Sequence, residues 1–318
     1  MSEYQAAPRT VVEACFDPRG SASLAYVYDV AAAAGLADQP VRLAIRRLEA
    51  AGVLRQEGRG RKGRLLLTDA GRLRTDADAR FVRLAYAQDG GLAPWDGLWR
   101  LHTFSVPEQH RPERDALRTA LTRLGAAPLA PGAYLSPHDL LAELVGETSE
   151  STVGAYLITA EATRLTGPGF TDPASVAERL WPAADTVDAY RPLAEALAAE
   201  PVGNDRGSTE LVATALGLAD AFSRALEHDP LLPPELRPTP WPPSHLRRAF
   251  RERWTALRHQ APDLSLFRTF DPPAPPPTPT PPACPPEPAG PPSTPPPGLG
   301  RKPVWRGSPP AGQSPDDR

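Results

Sequence analysis

The sequence predicts a multidomain α+β protein, on three contrasts along its 318 residues. An amphipathic helix followed by a turn of Gly, Arg and Lys lies near the start. A stretch that alternates strand-like and helix-like patterns fills the middle. A run of helical periodicities follows, and it gives way to a proline-rich tail. The length suffices for two or three domains with cores of their own.

Residues 8–18 read as a first helix with Val11, Val12, Cys15 and Phe16 as its apolar set. Ser23 is placed to cap a second over 24–34, where Tyr26, Val27 and Val30 supply bulk and Gly35 stops it. Leu36 packs into the turn. Asp38 then caps a third helix, Pro40 is tolerated in its first turn, and Gly52 ends it. At the helical period Val41, Ala44, Ile45, Leu48 and Ala51 share one face. The opposite face presents Gln39, Arg42, Leu43 and Arg46, with Arg47 on its flank.

Two short apolar runs follow, 53–54 and 65–67, and between them lie Gly58, Arg59, Gly60, Arg61, Lys62, Gly63 and Arg64. Crowding like charges on a glycine-rich backbone costs entropy and repulsion that a plain surface turn does not need. A positively faced helix joined to a basic hairpin is the plan of a winged helix-turn-helix. Its helix enters the major groove, and its wing follows the backbone or the minor groove. The bland counterpart is an amphipathic helix with a solvated face beside a surface hairpin. Thr68 and Asp69 then open a further helix to about residue 87, apolar at Leu73, Ala77, Phe81, Leu84 and Ala85. Such a helix serves dimerisation, acts as a spacer, or packs on its own domain.

Residues 88–98 read as a linker. A strand over 99–106, a helix over 111–124 closed by Gly125, a strand at 133–135, a turn and short helix over 137–146 and a strand over 152–159 follow. A fourth strand is placed near 162–165. This order predicts a ferredoxin-like sandwich over 99–172. From residue 173 to 268 the chain reads as helical: 175–181, a helix starting near Asp185, a loop at 201–207, then 209–227 and 243–260. Residues 269–318 read as a disordered Pro-rich tail, and neither Cys284 nor Trp305 within it is read as functional. The opening domain spans 1–87.

Net charge is −3, so basic character is concentrated around the third helix and hairpin rather than spread over the chain. That distribution fits a site-specific DNA binder rather than a protein that coats nucleic acid. The two cysteines exclude a disulfide scaffold and cysteine-rich metal sites, and the six histidines lack ligand spacing. No stretch approaches a membrane span and no export signal is read, so a soluble cytoplasmic protein is expected. Catalysis finds no support. The glycines of the hairpin lie between strands rather than after one, and no nucleophile sits in a triad-like context. Where a metal nuclease of similar middle domain wants an aspartate ending its first strand, this chain reads Ser105-Val106-Pro107-Glu108.

Four stretches together resemble the PaaX family of bacterial transcriptional regulators. They are the helix and hairpin from Val41-Arg42 to Leu67-Thr68-Asp69-Ala70-Gly71; Trp95-Asp96-Gly97 with Trp99; Glu113-Arg114-Asp115 through Leu124-Gly125 and 128-PLAPGAYLSP-137; and 229-DPLLPPELRPTPWP-242. The resemblance implies a homodimeric repressor on a palindromic operator. It also implies release by a small effector such as an aryl- or acyl-CoA; no cofactor or metal is expected. Within the helix and hairpin, Arg42 and Arg46 are the candidates for base edges, since a guanidinium can donate two bonds to guanine. Gln39 meets a phosphate at the helix start or reads adenine, and Leu43 meets a thymine methyl group. Arg47, Arg59, Arg61, Lys62 and Arg64 grip phosphates or enter the minor groove. For an effector's acidic group the sequence offers Arg100, Arg111, Arg114, Arg118 and Arg123, and Trp181, Tyr190, Trp241 and Trp254 for an aromatic pocket, with core packing as the alternative. A ligand-independent architectural protein that recruits partners through its PxxP-rich tail is the competing function.

Overall fold

The computed structural model describes residues 6–199 and 208–260; the expected loop at 201–207 and the Pro-rich tail lie outside them. Its first part comprises α1 (Pro8–Ala14), β1 (Ser21–Ser23), α2 (Leu24–Ala33), α3 (Asp38–Ala50), β2 (Leu54–Glu57), β3 (Arg64–Leu67) and α4 (Asp69–Asp89). The three strands form an antiparallel sheet of order β1-β3-β2. Strand β1 carries no apolar alternation to announce it, and it forms because Ser21 and Ser23 register against Leu66 and Arg64 of β3.

Helix α3 ends as its sequence dictates. The Val53 N–H reaches the Leu48 carbonyl at 2.9 Å and the Gly52 N–H reaches Glu49 at 2.9 Å, with Gly52 at φ +70°. Its start differs from expectation. Asp38 lies inside the first turn after an extended Ala37, and its side chain makes no cap bond. It pairs instead with Arg42. Ala51, expected on the apolar face, is exposed at the C-terminal end. Thr68 caps α4 by accepting from the Gly71 N–H at 3.0 Å while its hydroxyl reaches the Gly52 carbonyl at 2.5 Å. A Cβ at Gly71 would stand 2.0 Å from the Val53 carbonyl oxygen, so glycine there is what lets α4 leave so close to the end of α3.

The middle part comprises β4 (Trp99–Phe104), α5 (Arg111–Arg123), β5 (Ala127–Ala130), β6 (Ala133–Ser136), α6 (Leu141–Glu147), α7 (Glu150–Tyr156) and β7 (Leu157–Ala162). Its sheet has the order β5-β6-β4-β7, antiparallel throughout. Residues 152–159, expected as a strand, divide between α7 and β7. The Ser149 hydroxyl caps α7 by accepting from the Thr152 N–H at 3.0 Å, and this local bond outweighs the strand preference of Thr152 and Val153. The fourth strand is therefore 157–162 rather than 162–165. Strand β5 escaped the pattern because Pro128 occupies it; as a sheet edge with an irregular register it tolerates the missing N–H. Trp99 and Leu135 turn to one face, against Val176 and Trp181, while Tyr134 turns to the other, against Leu117 and Leu121.

The last part holds α8 (Pro173–Leu180), α9 (Ala183–Ala189), α10 (Arg191–Ala198), α11 (Ser208–Glu227) and α12 (Pro242–Gln260). The helix expected from Asp185 is broken at Tyr190, because Pro192 lacks an N–H and crowds the preceding turn. One buried cluster joins the first and last parts: Val11, Val27, Ile45 and Leu48 share it with Leu211, Ala215, Phe222, Phe250 and Trp254. Asp220 of α11, 2% exposed, seals the seam by accepting from the Ala7 N–H at 3.1 Å and the Thr10 hydroxyl at 2.5 Å. The stretch read as a linker begins inside α4 and is packed: Trp95 meets the edge of Trp99 at 5.1 Å between centroids. Among the described residues, no helix is long and apolar enough to cross a membrane.

Candidate nucleic-acid interface

Helix α3 turns Val41, Ala44, Ile45 and Leu48 into the core, which leaves Gln39, Arg42, Leu43, Arg46 and Arg47 exposed on its outer side. Leu43 is a large apolar side chain left 47% exposed. Arg42 donates to Asp38 at 3.1 Å, and its guanidinium lies 6.0 Å from the Tyr28 ring centroid. In the hairpin, Arg59, Arg61, Lys62 and Arg64 are all exposed. A 3-10 turn over Gly60–Lys62 shapes the tip, and Gly58 and Gly60 adopt φ of +76° and +60°. Part of the glycine content thus answers a backbone requirement.

Arg61 reaches across to Asp29 of α2 at 2.8 Å, which leans the hairpin toward the helix pair. Both partners are more than half exposed, as are those of the Arg42–Asp38 pair. Ion pairs in that setting contribute little, so an incoming phosphate can replace either carboxylate. Among the described residues no carboxylate pairs with Arg46, Arg47, Arg59, Lys62 or Arg64. Nothing in the sequence singled out Tyr28 or Asp29, since neither belongs to a motif. Arg55 and Arg72 are spoken for, by Glu57 and by the Arg19 carbonyl.

The arginines offered for an effector also stand beside carboxylates, with Arg111 and Arg118 as exposed as Arg42 and Arg61. Arg100 pairs with Asp96, Arg111 and Arg114 reach Glu108, Arg118 approaches Asp115 and Arg123 pairs with Glu147. The four aromatic residues do not converge on one pocket. Trp181 stacks on Trp99 and donates to the Gly125 carbonyl at 2.8 Å, Trp254 stacks on Phe250, and Trp241 lies under Arg237.

Tyr190 belongs instead to a buried ionic cluster that the sequence did not announce. Arg247, with no exposed surface, donates to both oxygens of Asp89 at 2.7 Å, and to Asp229 at 2.8 Å and the Tyr190 hydroxyl at 2.6 Å. That hydroxyl donates onward to Asp229 at 2.8 Å. Burial opposes the charge on Asp89, but the bonds and charge of Arg247 and the Ser244 hydroxyl outweigh it and hold the carboxyl below its ordinary range. Burial, then the neighbouring Asp229, pushes the Tyr190 phenol well up. The side chains satisfy one another and lock the end of α4 to α12. No group of three His, Cys, Asp or Glu side chains suited to a metal occurs among the described residues.

Comparison with known proteins assigns the fold first. Residues 92–176 match the PaaX protein central Cas2-like domain, and residues 181–265 match the PaaX-like protein C-terminal domain. The uncharacterized protein Rv0674 from Mycobacterium tuberculosis has a similar structure, with a TM-score of 0.50 and 24% identity over 83% of this chain and 99% of that one. No curated protein matches the sequence. The chain belongs to the PaaX family of transcriptional regulators, whose members bind DNA.

Proposed function

We propose that this chain is a cytoplasmic, sequence-specific regulator that reads DNA with a winged helix-turn-helix built from α1 to α4 and the three-stranded sheet. In this reading α3 is the recognition helix. Arg42 and Arg46 address base edges, Leu43 addresses a thymine methyl group, and Gln39 sits at the helix start where a phosphate or an adenine is met. Arg47 and the hairpin cations Arg59, Arg61, Lys62 and Arg64 hold the backbone or the minor groove. Two copies on a palindrome act as a repressor, and a small effector such as an aryl- or acyl-CoA releases them. The middle ferredoxin-like part and the helical part serve assembly and response rather than catalysis.

One observation carries the reading. The outer side of α3 holds Arg46 and Arg47, without a carboxylate partner among the described residues, beside the half-exposed Leu43, and the hairpin adds Arg59, Lys62 and Arg64, likewise unpaired. The test compares operator and random duplexes in gel shifts after genome-wide mapping of bound sites. Arg46→Ala is expected to weaken operator binding by about 1–3 kcal/mol and random binding little. Equal losses on both would reduce Arg46 to a phosphate contact. A footprint spread broadly over DNA, insensitive to candidate CoA thioesters, would favour an architectural role.

A further inference from the structure

An open groove of about 680 Å³ lies between α5, the end of β4 and the hairpin that joins β5 to β6. That volume falls within the roughly 300–1,000 Å³ of small-molecule sites. Its wall is apolar at Phe104, Val106, Leu129 and Pro131, and Leu129 is left 39% exposed. Phe104 and Tyr134 stack there with centroids 5.9 Å apart and planes at 14°, which gives the wall a flat aromatic part.

Tyr134 supplies the unmet polar group. The residue is only 6% exposed and belongs to one buried cluster with Leu117 and Leu121 of α5, so its ring is fixed. Its hydroxyl has no hydrogen-bond partner among the described residues, yet the oxygen is not sealed from solvent. A phenol held in this way, in the wall of a groove, offers a donor to whatever enters. Charge then selects the occupant. Arg114 and Arg118 line the groove against a single carboxylate, Asp115. Arg114 turns to Glu108 at 2.8 Å. Asp115 is divided between Arg111 at 3.6 Å and Arg118 at 4.0 Å, which leaves Arg118 the least satisfied cation of the wall. An unmet donor beside a loosely paired guanidinium favours an anion.

We propose that this groove binds a small organic carboxylate with a flat apolar body. The carboxylate accepts from the Tyr134 hydroxyl and pairs with Arg118, while the apolar body covers Phe104, Leu129 and Pro131. Removing those side chains from water adds a favourable hydrophobic contribution to the charge-assisted bond. This binding claim does not depend on the DNA reading.

The experiment titrates the full-length protein at fixed ionic strength with sodium 2-naphthoate and with its uncharged amide, read by calorimetry. Naphthoate is expected to saturate one site, at least roughly ten-fold more tightly than the amide, since hydrogen bonds to a charged group are the stronger kind. Tyr134→Phe deletes only a hydroxyl that the fold does not use, so it should keep the melting temperature while weakening naphthoate about ten-fold. Arg118→Gln, at an exposed position, should weaken it several-fold. Either loss in a folded variant supports the site. Equal binding of naphthoate and its amide, no saturable binding, or naphthoate affinity unchanged in both variants overturns it. A clearly lowered melting temperature of Tyr134→Phe overturns it too, because the hydroxyl would then already serve the fold.

Discussion

Replacing Arg247 by Met tests what holds α4 against α12. The substitution removes the one cation shared by Asp89 and Asp229, 14% and 2% exposed; Asp229 loses its paired cation, while Asp89 keeps only Arg237 at 3.4 Å. Removing one member of a buried pair generally costs about 3–5 kcal/mol, because the remaining charge is stranded away from water. The Ser244 and Tyr190 hydroxyls stay to satisfy some lone pairs, so the lower half of that range is expected. Equilibrium urea unfolding followed by tryptophan fluorescence measures the loss. The reasoning also fixes a pH dependence. The Asp89 pKa is lowered in the fold, so its contribution is present above the ordinary carboxyl value of 3.8 and is lost as pH falls through the folded value. The wild type should therefore lose stability below about pH 4, and Arg247→Met should lose less over the same window. A destabilisation under about 1 kcal/mol, with an unchanged acid limb, would refute the assignment of this cluster as the clamp.

Other expectations follow from single contacts. Gly71→Ala should destabilise by about 3 kcal/mol or block folding, seen as a lowered melting temperature, since its Cβ meets backbone rather than a movable side chain. In a Cys284→Ser background Cys15 should stay silent to a thiol reagent at pH 8 until urea unfolds the chain, because burial pushes its pKa up to about 12. Rapid labelling in the native state would contradict that burial. Lys62→Ala should lower affinity evenly across DNA sequences and reduce the salt slope by about 1, measured by fluorescence anisotropy.

The sequence displayed helix α3 well, because a buried stripe at Val41, Ala44, Ile45 and Leu48 and a terminal Gly52 are local signals that packing then uses as written. It failed where local patterns compete. Thr152 and Val153 favour a strand by composition, yet one hydroxyl from Ser149 turns them into a helix. Strand β1 owes its existence to β3, a partner 41 or more positions away (Ser23 to Arg64), and Ser-Ala-Ser gives no hint of it. The outward cations of α3 and the hairpin were legible as a face, whereas Asp29 as the counterpart of Arg61 was not. Arg247 and Asp89 stand 158 positions apart, beyond any periodicity.

The buried seam between α1, α2 and α11 has a consequence for synthesis. Leu48 emerges from the ribosome on the order of ten seconds before Leu211 at translation rates of roughly 5–20 residues per second. Throughout that interval the underside of the newborn head stays bare and is a natural client for chaperones. Nascent chains stalled before residue 208 should be cut readily by protease at the head, and chains released in full should resist. A head expressed without α11 would meet the same fate permanently.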